Sequence, residues 1–150
     1  MRKIFFLLAA AALATGAPAQ RRLPVIVPLG RPAPAPALVG IDALRADFAA
    51  QSGGTTVYFA SDSSGLVPAA RAVLAAQAAW LRRHPEIVVR IEGSGEHGDT
   101  RDHALAVGAK RAEEVRLHLI LMGVPAAQLS AMSWGKERPG AGRAVTILVR

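Results

Sequence analysis

Residues 93–112 read GSGEHGDTRDHALAVGAKRA, and the two halves of this stretch call for different local structure. The first half is polar and rich in glycine, as a loop is. Glu96 sits at its centre. The second half spaces its apolar and small residues by three and four, the period of a helix. It carries Arg111. One acidic and one basic side chain are thus held on adjoining elements. A carboxylate takes an ammonium group, and a guanidinium takes a carboxylate as a planar fork. Such a pair suits a small zwitterion, for example a free amino-acid centre on a peptide.

The helix is predicted from about Arg101 to Met122, with Gly123 as its C-terminal cap. Leu105, Gly108, Ala112, Val115, Leu119 and Met122 form a core stripe. Gly108 within that stripe lowers helix propensity, which points to a close approach between helix and sheet. His103, Val107 and Arg111 step by four on another face, directed at the loop that holds Glu96. Arg111 is therefore expected off the core, so that its truncation leaves no cavity. Asp99 or Thr100 is placed to cap the helix start.

Outward from this stretch the elements follow in sequence. Ile41 to Ala50 forms a short helix with Ile41, Leu44 and Phe48 on one side, and Gln51-Ser52-Gly53-Gly54 ends it. Thr55 to Phe59 is a strand. Pro68 opens a second helix with a stripe at Ala70, Val73, Leu74, Gln77, Trp80 and Leu81, which stops at His84-Pro85. Ile87 to Ile91, Leu129 to Trp134 and Ala144 to Val149 are further strands. The order α-β-α-β-α-β-β places two long helices on one face of a mixed four-stranded sheet, an α+β two-layer sandwich.

The amino-terminal segment is of another kind. Arg2 and Lys3 precede an apolar run from Ile4 to Ala14 that is too short to span a bilayer, and Ala17-Pro18-Ala19 is a small-residue cleavage pattern. Residues 1–19 are therefore expected to be a secretory signal peptide, with an uncleaved anchor as the other reading. Residues 20–40 contain Pro24, Pro28, Pro32, Pro34 and Pro36 and are expected to be an extended linker. No later segment is apolar enough to cross a membrane. The 150 residues contain no cysteine, so neither a disulfide nor a lipidated cysteine is expected. The net charge of +7 is concentrated outside the folded part. Arg2, Lys3, Arg21, Arg22 and Arg31 all precede residue 41, leaving 13 basic against 11 acidic side chains beyond it. The domain lacks a basic stripe interleaved with aromatics in its sequence, so nucleic acid is not an expected partner.

The segment 93–112, with its flanks, resembles the OmpA-like peptidoglycan-binding domain. Gly93, Gly108, Arg111 and Ala112 stand in that family's spacing, and Glu96 falls where the family has its ligand-binding Asp. VYFASD at 57–62 is similar to the family's first strand, and AAWLRRHPEIVVRIEG at 78–93 to its helix, turn and second strand. LMGVPAAQLSAMSWGKERP at 121–139 and the final GRAVTILVR continue the likeness. It spans roughly residues 55 to 150, with 41–54 as a short helix and lead-in. The resemblance implies the OmpA-like two-layer sandwich. It also implies an exported, periplasmic protein, associated with the outer membrane or cell wall. Its ligand would be peptidoglycan with a diaminopimelate-type stem peptide, and envelope proteins are further candidate partners.

On that resemblance the ligand-binding residues are Asp62, Glu96, Val107 and Arg111, with Ser94, Gly95, His97 and His103 as further candidates. Each has a plainer reading. Glu96 and Arg111 could form an ordinary surface salt bridge, worth under about 1 kcal/mol. Asp62 could simply form the turn in SDSSG, and Val107 could be core. Ser94 replaces the family's His, His103 its aromatic and Ala104 its Asn. Ala104 cannot supply amide hydrogen bonds, each worth roughly 0.5–1.5 kcal/mol. Glu96, His97, Asp99, Asp102 and His103 contain zinc-ligand types, but the histidines lack the i, i+4 spacing that would put both on one helix face; no metal or cofactor is expected. Ser61, Ser63 and Ser64 have no His-Asp pattern to activate them, so no enzyme is expected. Two functions stay open: a peptidoglycan-binding module, or a periplasmic interaction or structural module that has kept the fold without the ligand.

Overall fold

The computed structural model describes residues 40–138, 140 and 142–150. The proposed signal peptide and nearly all of the linker lie outside the described residues. The elements are α1 (Ile41–Gln51), β1 (Thr56–Tyr58), α2 (Pro68–Arg83), β2 (Val89–Ser94), α3 (Arg101–Leu121), a short 3-10 turn (Ala126–Gln128), β3 (Leu129–Gly135) and β4 (Arg143–Leu148). The sheet order is β1-β4-β2-β3. β2 and β3 run parallel, joined by α3 as the crossover, while β4 is antiparallel to β1 and β2. This is the expected α+β arrangement.

Alternation along β4 separates its two sides. Ala144, Thr146 and Leu148 are buried, while Arg143, Val145 and Ile147 are half-buried. The buried side joins Val57, Val89 and Ile91 to Leu74, Ala78 and Leu81 of α2 and to Ala112, Val115 and Leu119 of α3. One polar pair inside this core is satisfied. Thr146 Oγ1 donates to Gln77 Oε1 at 2.9 Å, and Gln77 Nε2 donates to the Gly54 carbonyl at 3.1 Å. α1 is fastened by Trp80, whose indole N–H donates to Asp47 at 2.7 Å. That bond, with others from Gln51, holds the Asp47 carboxyl below the usual carboxylate range.

Two sequence expectations about position are corrected. β2 runs from Val89 to Ser94 rather than from Ile87 to Ile91, so Gly93 and Ser94 are strand, and the loop proper begins at Gly95. The apolar run misled because Gly93 and Ser94 have no strand propensity, yet Gly93 pairs with both β3 and β4, and Ser94 pairs with Gly135 of β3 across a register shift. The second correction concerns the face of α3. Leu105 is exposed, and the buried set is Ala104, Val107, Gly108, Arg111, Ala112, Val115 and Leu119. The helix is turned by a backbone contact. A Cβ on Gly93 would lie 2.0 Å from the Gly108 carbonyl oxygen, and one on Gly108 would lie 2.4 Å from Ser133 Oγ. The helix comes to the sheet at that point as only two glycines allow. The helix end is as expected: Gly123 has φ +89, and the Val124 amide returns to the Leu119 carbonyl.

Gly93→Ala is expected to cost at least about 3 kcal/mol, at the upper end for overpacking, because the clash is with backbone rather than with a side chain that can move. Gly98→Ala, where an added Cβ meets nothing within 4 Å, should stay within about 0.5 kcal/mol of the parent. Urea unfolding of the two variants checks this.

Candidate functional site

The β2–α3 connection, Gly95 to Thr100, is short and tied at both ends. Gly95 donates its amide to the Gly135 carbonyl at 2.9 Å, and Gly142 donates to the Gly95 carbonyl at 3.3 Å. A Cβ on Gly95 would sit 2.5 Å from the Ala104 backbone, so this glycine permits close contact with the first turn of α3. Thr100 caps the helix by accepting the His103 amide at 3.3 Å. Asp99, the other capping candidate, instead accepts the Glu96 amide at 3.4 Å. These bonds hold Glu96 outward at the mouth, with its side chain 25% exposed.

Arg111 lies beneath it, and its location corrects the expectation that it stands off the core: the side chain is fully buried. Its Nε donates to the Ser63 carbonyl at 2.7 Å, and Nη1 donates to the Ser94 carbonyl at 2.8 Å. Nη2 donates to the Ala60 carbonyl at 3.0 Å and to Glu96 Oε1 at 3.0 Å. The guanidinium also lies over the Phe59 ring, 5.4 Å from its centroid. These four bonds leave a single N–H, on Nη1, outside them. A charge can be buried here because its acceptors surround it; otherwise desolvation would cost several kcal/mol. Sequence reasoning could identify Glu96 as a partner. The Ala60 and Ser63 carbonyls it could not identify, because backbone acceptors leave no residue-type signal.

Asp62 is in the same β1–α2 loop, in the left-handed region at φ +50, which Asp tolerates better than most residues. Its carboxylate meets His103 Nε2 at 3.0 Å. His103 is also 3.8 Å from Asp99 Oδ2. Val107, one turn along α3, is buried but stands outside the main apolar cluster. Six groups thus form a closed ring of contacts: Glu96, Asp99, His103, Asp62, the 60–63 backbone and Arg111. Ser94 is placed differently from the others. Its hydroxyl donates to the Gly140 and Arg143 carbonyls, and only its own carbonyl faces Arg111. His97 is exposed on the loop. Lys136, absent from the sequence candidates, donates to the Asp99 carbonyl at 2.7 Å. Among the described residues no group of three or more His, Cys, Asp or Glu is placed to hold a metal ion. Among them, too, no helix is long and apolar enough to cross a membrane.

A two-layer domain of this topology, with an acid loop over a buried arginine, defines an OmpA-like module. Residues 58–146 match the OmpA family, and the chain belongs to it. Among its relatives, the peptidoglycan-associated lipoprotein of Pseudomonas aeruginosa is 42% identical over 99 residues, covering 66% of this chain and 58% of that one. The protein of the same name from Agrobacterium fabrum is 38% identical over 86 residues, covering 57% of this chain and 49% of that one. The chain therefore spans about half the length of such relatives. The crystal structure of the peptidoglycan-associated lipoprotein from Burkholderia pseudomallei superimposes with a TM-score of 0.62 at 35% identity, over 65% of this chain and 92% of that chain. The C-terminal domain of Helicobacter pylori MotB shares the fold, with a TM-score of 0.59 at 19% identity over 63% of this chain and 84% of that chain.

Arg111→Ala strands three backbone carbonyls and the Glu96 carboxylate. It should lower the unfolding free energy by about 3–5 kcal/mol. Arg111→Lys should recover only part, since one ammonium cannot reach acceptors arranged for a planar fork. Denaturant titrations measure both; an Arg111→Ala protein as stable as the parent would show that the four bonds hold nothing together.

Proposed function

We propose that the domain binds peptidoglycan non-covalently, through the free amino-acid centre of a diaminopimelate-type stem peptide, and so anchors or organises the cell envelope. The observation that carries this reading is the partly exposed Glu96 carboxylate, bonded to Arg111, at the position where the family has its ligand-binding Asp. The names of the relatives support the choice of polymer. In this reading Glu96 receives the ligand's ammonium group, with Asp62 beside it and Val107 as the apolar wall. Arg111 positions Glu96 and the 60–63 loop; being fully buried, it would meet a ligand carboxylate only by exchange with Glu96. Residues 1–19 would export the chain to the periplasm, and residues 20–40 would tether the domain. The role is binding rather than catalysis, with no cofactor.

Two observations favour the second reading, an envelope interaction module without the ligand. The guanidinium is already occupied by the chain's own acceptors, and Ala104 is buried against Gly95 with no polar group to offer.

Co-sedimentation of the purified mature chain with isolated sacculi separates the two. The parent should pellet with the sacculi. Glu96→Gln should bind roughly tenfold more weakly, the cost of losing one charge-assisted contact of about 1.5 kcal/mol. Glu96→Asp should still bind. Circular dichroism confirms that each variant is folded. A parent that stays in the supernatant establishes the interaction-module reading.

A further inference from the structure

His103 is the member of the ring with the least explained position. Its imidazole lies between two carboxylates from different segments, Asp62 of the β1–α2 loop at 3.0 Å and Asp99 of the loop before α3 at 3.8 Å. The side chain is 51% exposed and Asp62 is 72% exposed, so protons and ligands reach both. The remaining charged groups are otherwise engaged. Glu96 is paired with Arg111, and Lys136 donates to the Asp99 backbone rather than to its carboxylate. On its own helix Arg101 pairs with Glu137, and Asp102 lies in the first turn. When protonated, His103 is thus the cation that the Asp62 and Asp99 carboxylates bind.

We propose that His103 determines binding through its proton: the imidazolium occupies Asp62, the carboxylate that stands with Glu96 in receiving a ligand's ammonium group, and the cation is admitted to it when the imidazole is neutral. This rests on the peptidoglycan reading and specifies how the same site is regulated. Histidine is the side chain whose charge changes between pH 5 and 8 under ordinary conditions. The sign follows from exclusion. A ligand cation and the His103 proton compete for the Asp62 carboxylate, so each lowers the affinity for the other. Affinity for the polymer rises with pH across that range. Neutral His103 can still donate one hydrogen bond to Asp62, but it no longer neutralises the pair. Asp62 is the more affected partner, because it is nearer and more exposed.

The test is co-sedimentation of the parent, His103→Asn and Asp62→Asn with diaminopimelate-type sacculi at pH 5.5 and pH 8, at fixed ionic strength. The parent should bind roughly fivefold or more tightly at pH 8 than at pH 5.5, the lower end for coupled sites. His103→Asn should bind equally at the two pH values, with its pH 5.5 affinity raised above the parent's. Asp62→Asn should lose affinity at pH 8 and with it most of the difference. His103 is half exposed, so the folded state should survive its replacement, and circular dichroism at both pH values checks this. A parent that binds equally at both pH values overturns the proposal and leaves the peptidoglycan reading standing. So does a pH difference that persists in His103→Asn, which would assign the effect to the polymer or to another group. A parent that binds at neither pH overturns both.

Discussion

The guanidinium of Arg111 is removed from solvent in a domain whose other largest fully buried side chains, among the described residues, are apolar but for Gln77, and the positions of three segments follow from how it is satisfied. Its acceptors come from the β1–α2 loop at Ala60 and Ser63, from the end of β2 at Ser94, and from the β2–α3 loop at Glu96. The β2–α3 loop has no apolar side chain in the core, and in the β1–α2 loop Phe59 and Leu66 pack against the core on either side of Ala60–Ser63 but not within it. A rigid fork with donors in one plane fixes these segments, because each bond is directional and the alternative is an unpaired buried charge. Unmaking any one of them leaves a charge or a carbonyl without a partner in low dielectric, so the loops move together or not at all.

The burial of Arg111 depends in turn on two glycines. Gly93 and Gly108 remove the Cβ atoms that would otherwise keep α3 off β2. With those atoms absent the helix lies low on the sheet at its first three turns, and its inward side becomes Ala104, Val107, Gly108 and Arg111. Further along, the same helix returns to ordinary apolar packing through Ala112, Val115 and Leu119. Its first half is thus committed to the site and its second half to the core. The cost of Gly108 to helix propensity, about 1 kcal/mol, is offset by the contact it permits.

This division explains which parts could be read from the sequence. The period of α2, the stop at His84-Pro85, the Gly123 cap and the order of elements along the chain all followed from residue types, because apolar burial and turn chemistry leave signals at fixed spacing. The meeting of Glu96 with Arg111 was legible as well, since a loop feeding a helix brings their charges together. The face of α3 was legible only in part: Gly108, Ala112, Val115 and Leu119 are buried as their spacing implies, but two positions were not readable. Leu105 reads as core and Arg111 as surface by any hydrophobic count, and the structure reverses both. A periodicity argument weighs side chains and has no term for backbone carbonyls, which are what make the interior hospitable to a guanidinium. The end of β2 failed for a related reason: Gly93 and Ser94 are held by ladder bonds and by Ser94's own hydroxyl, none of which strand propensity records.

The same geometry bears on how a site of this kind can keep both a structural and a binding role. Arg111 cannot be optimised for a ligand without loosening the loops, because its donors are nearly all committed. Variation is therefore easier at the rim, where Asp62, Asp99 and His103 are exposed enough to change without opening the interior. A histidine at position 103, on the solvent side of a ring whose buried side is fixed, places the adjustable element where a proton can reach it. The Glu at 96 fits the same logic. One methylene longer than Asp, it spans from the loop to the Arg111 Nη2 while keeping a quarter of its surface at the mouth. What the buried guanidinium holds constant, the rim residues are free to tune, and differences in affinity within this fold are accordingly expected to arise at positions 62, 96, 99 and 103 rather than at 111.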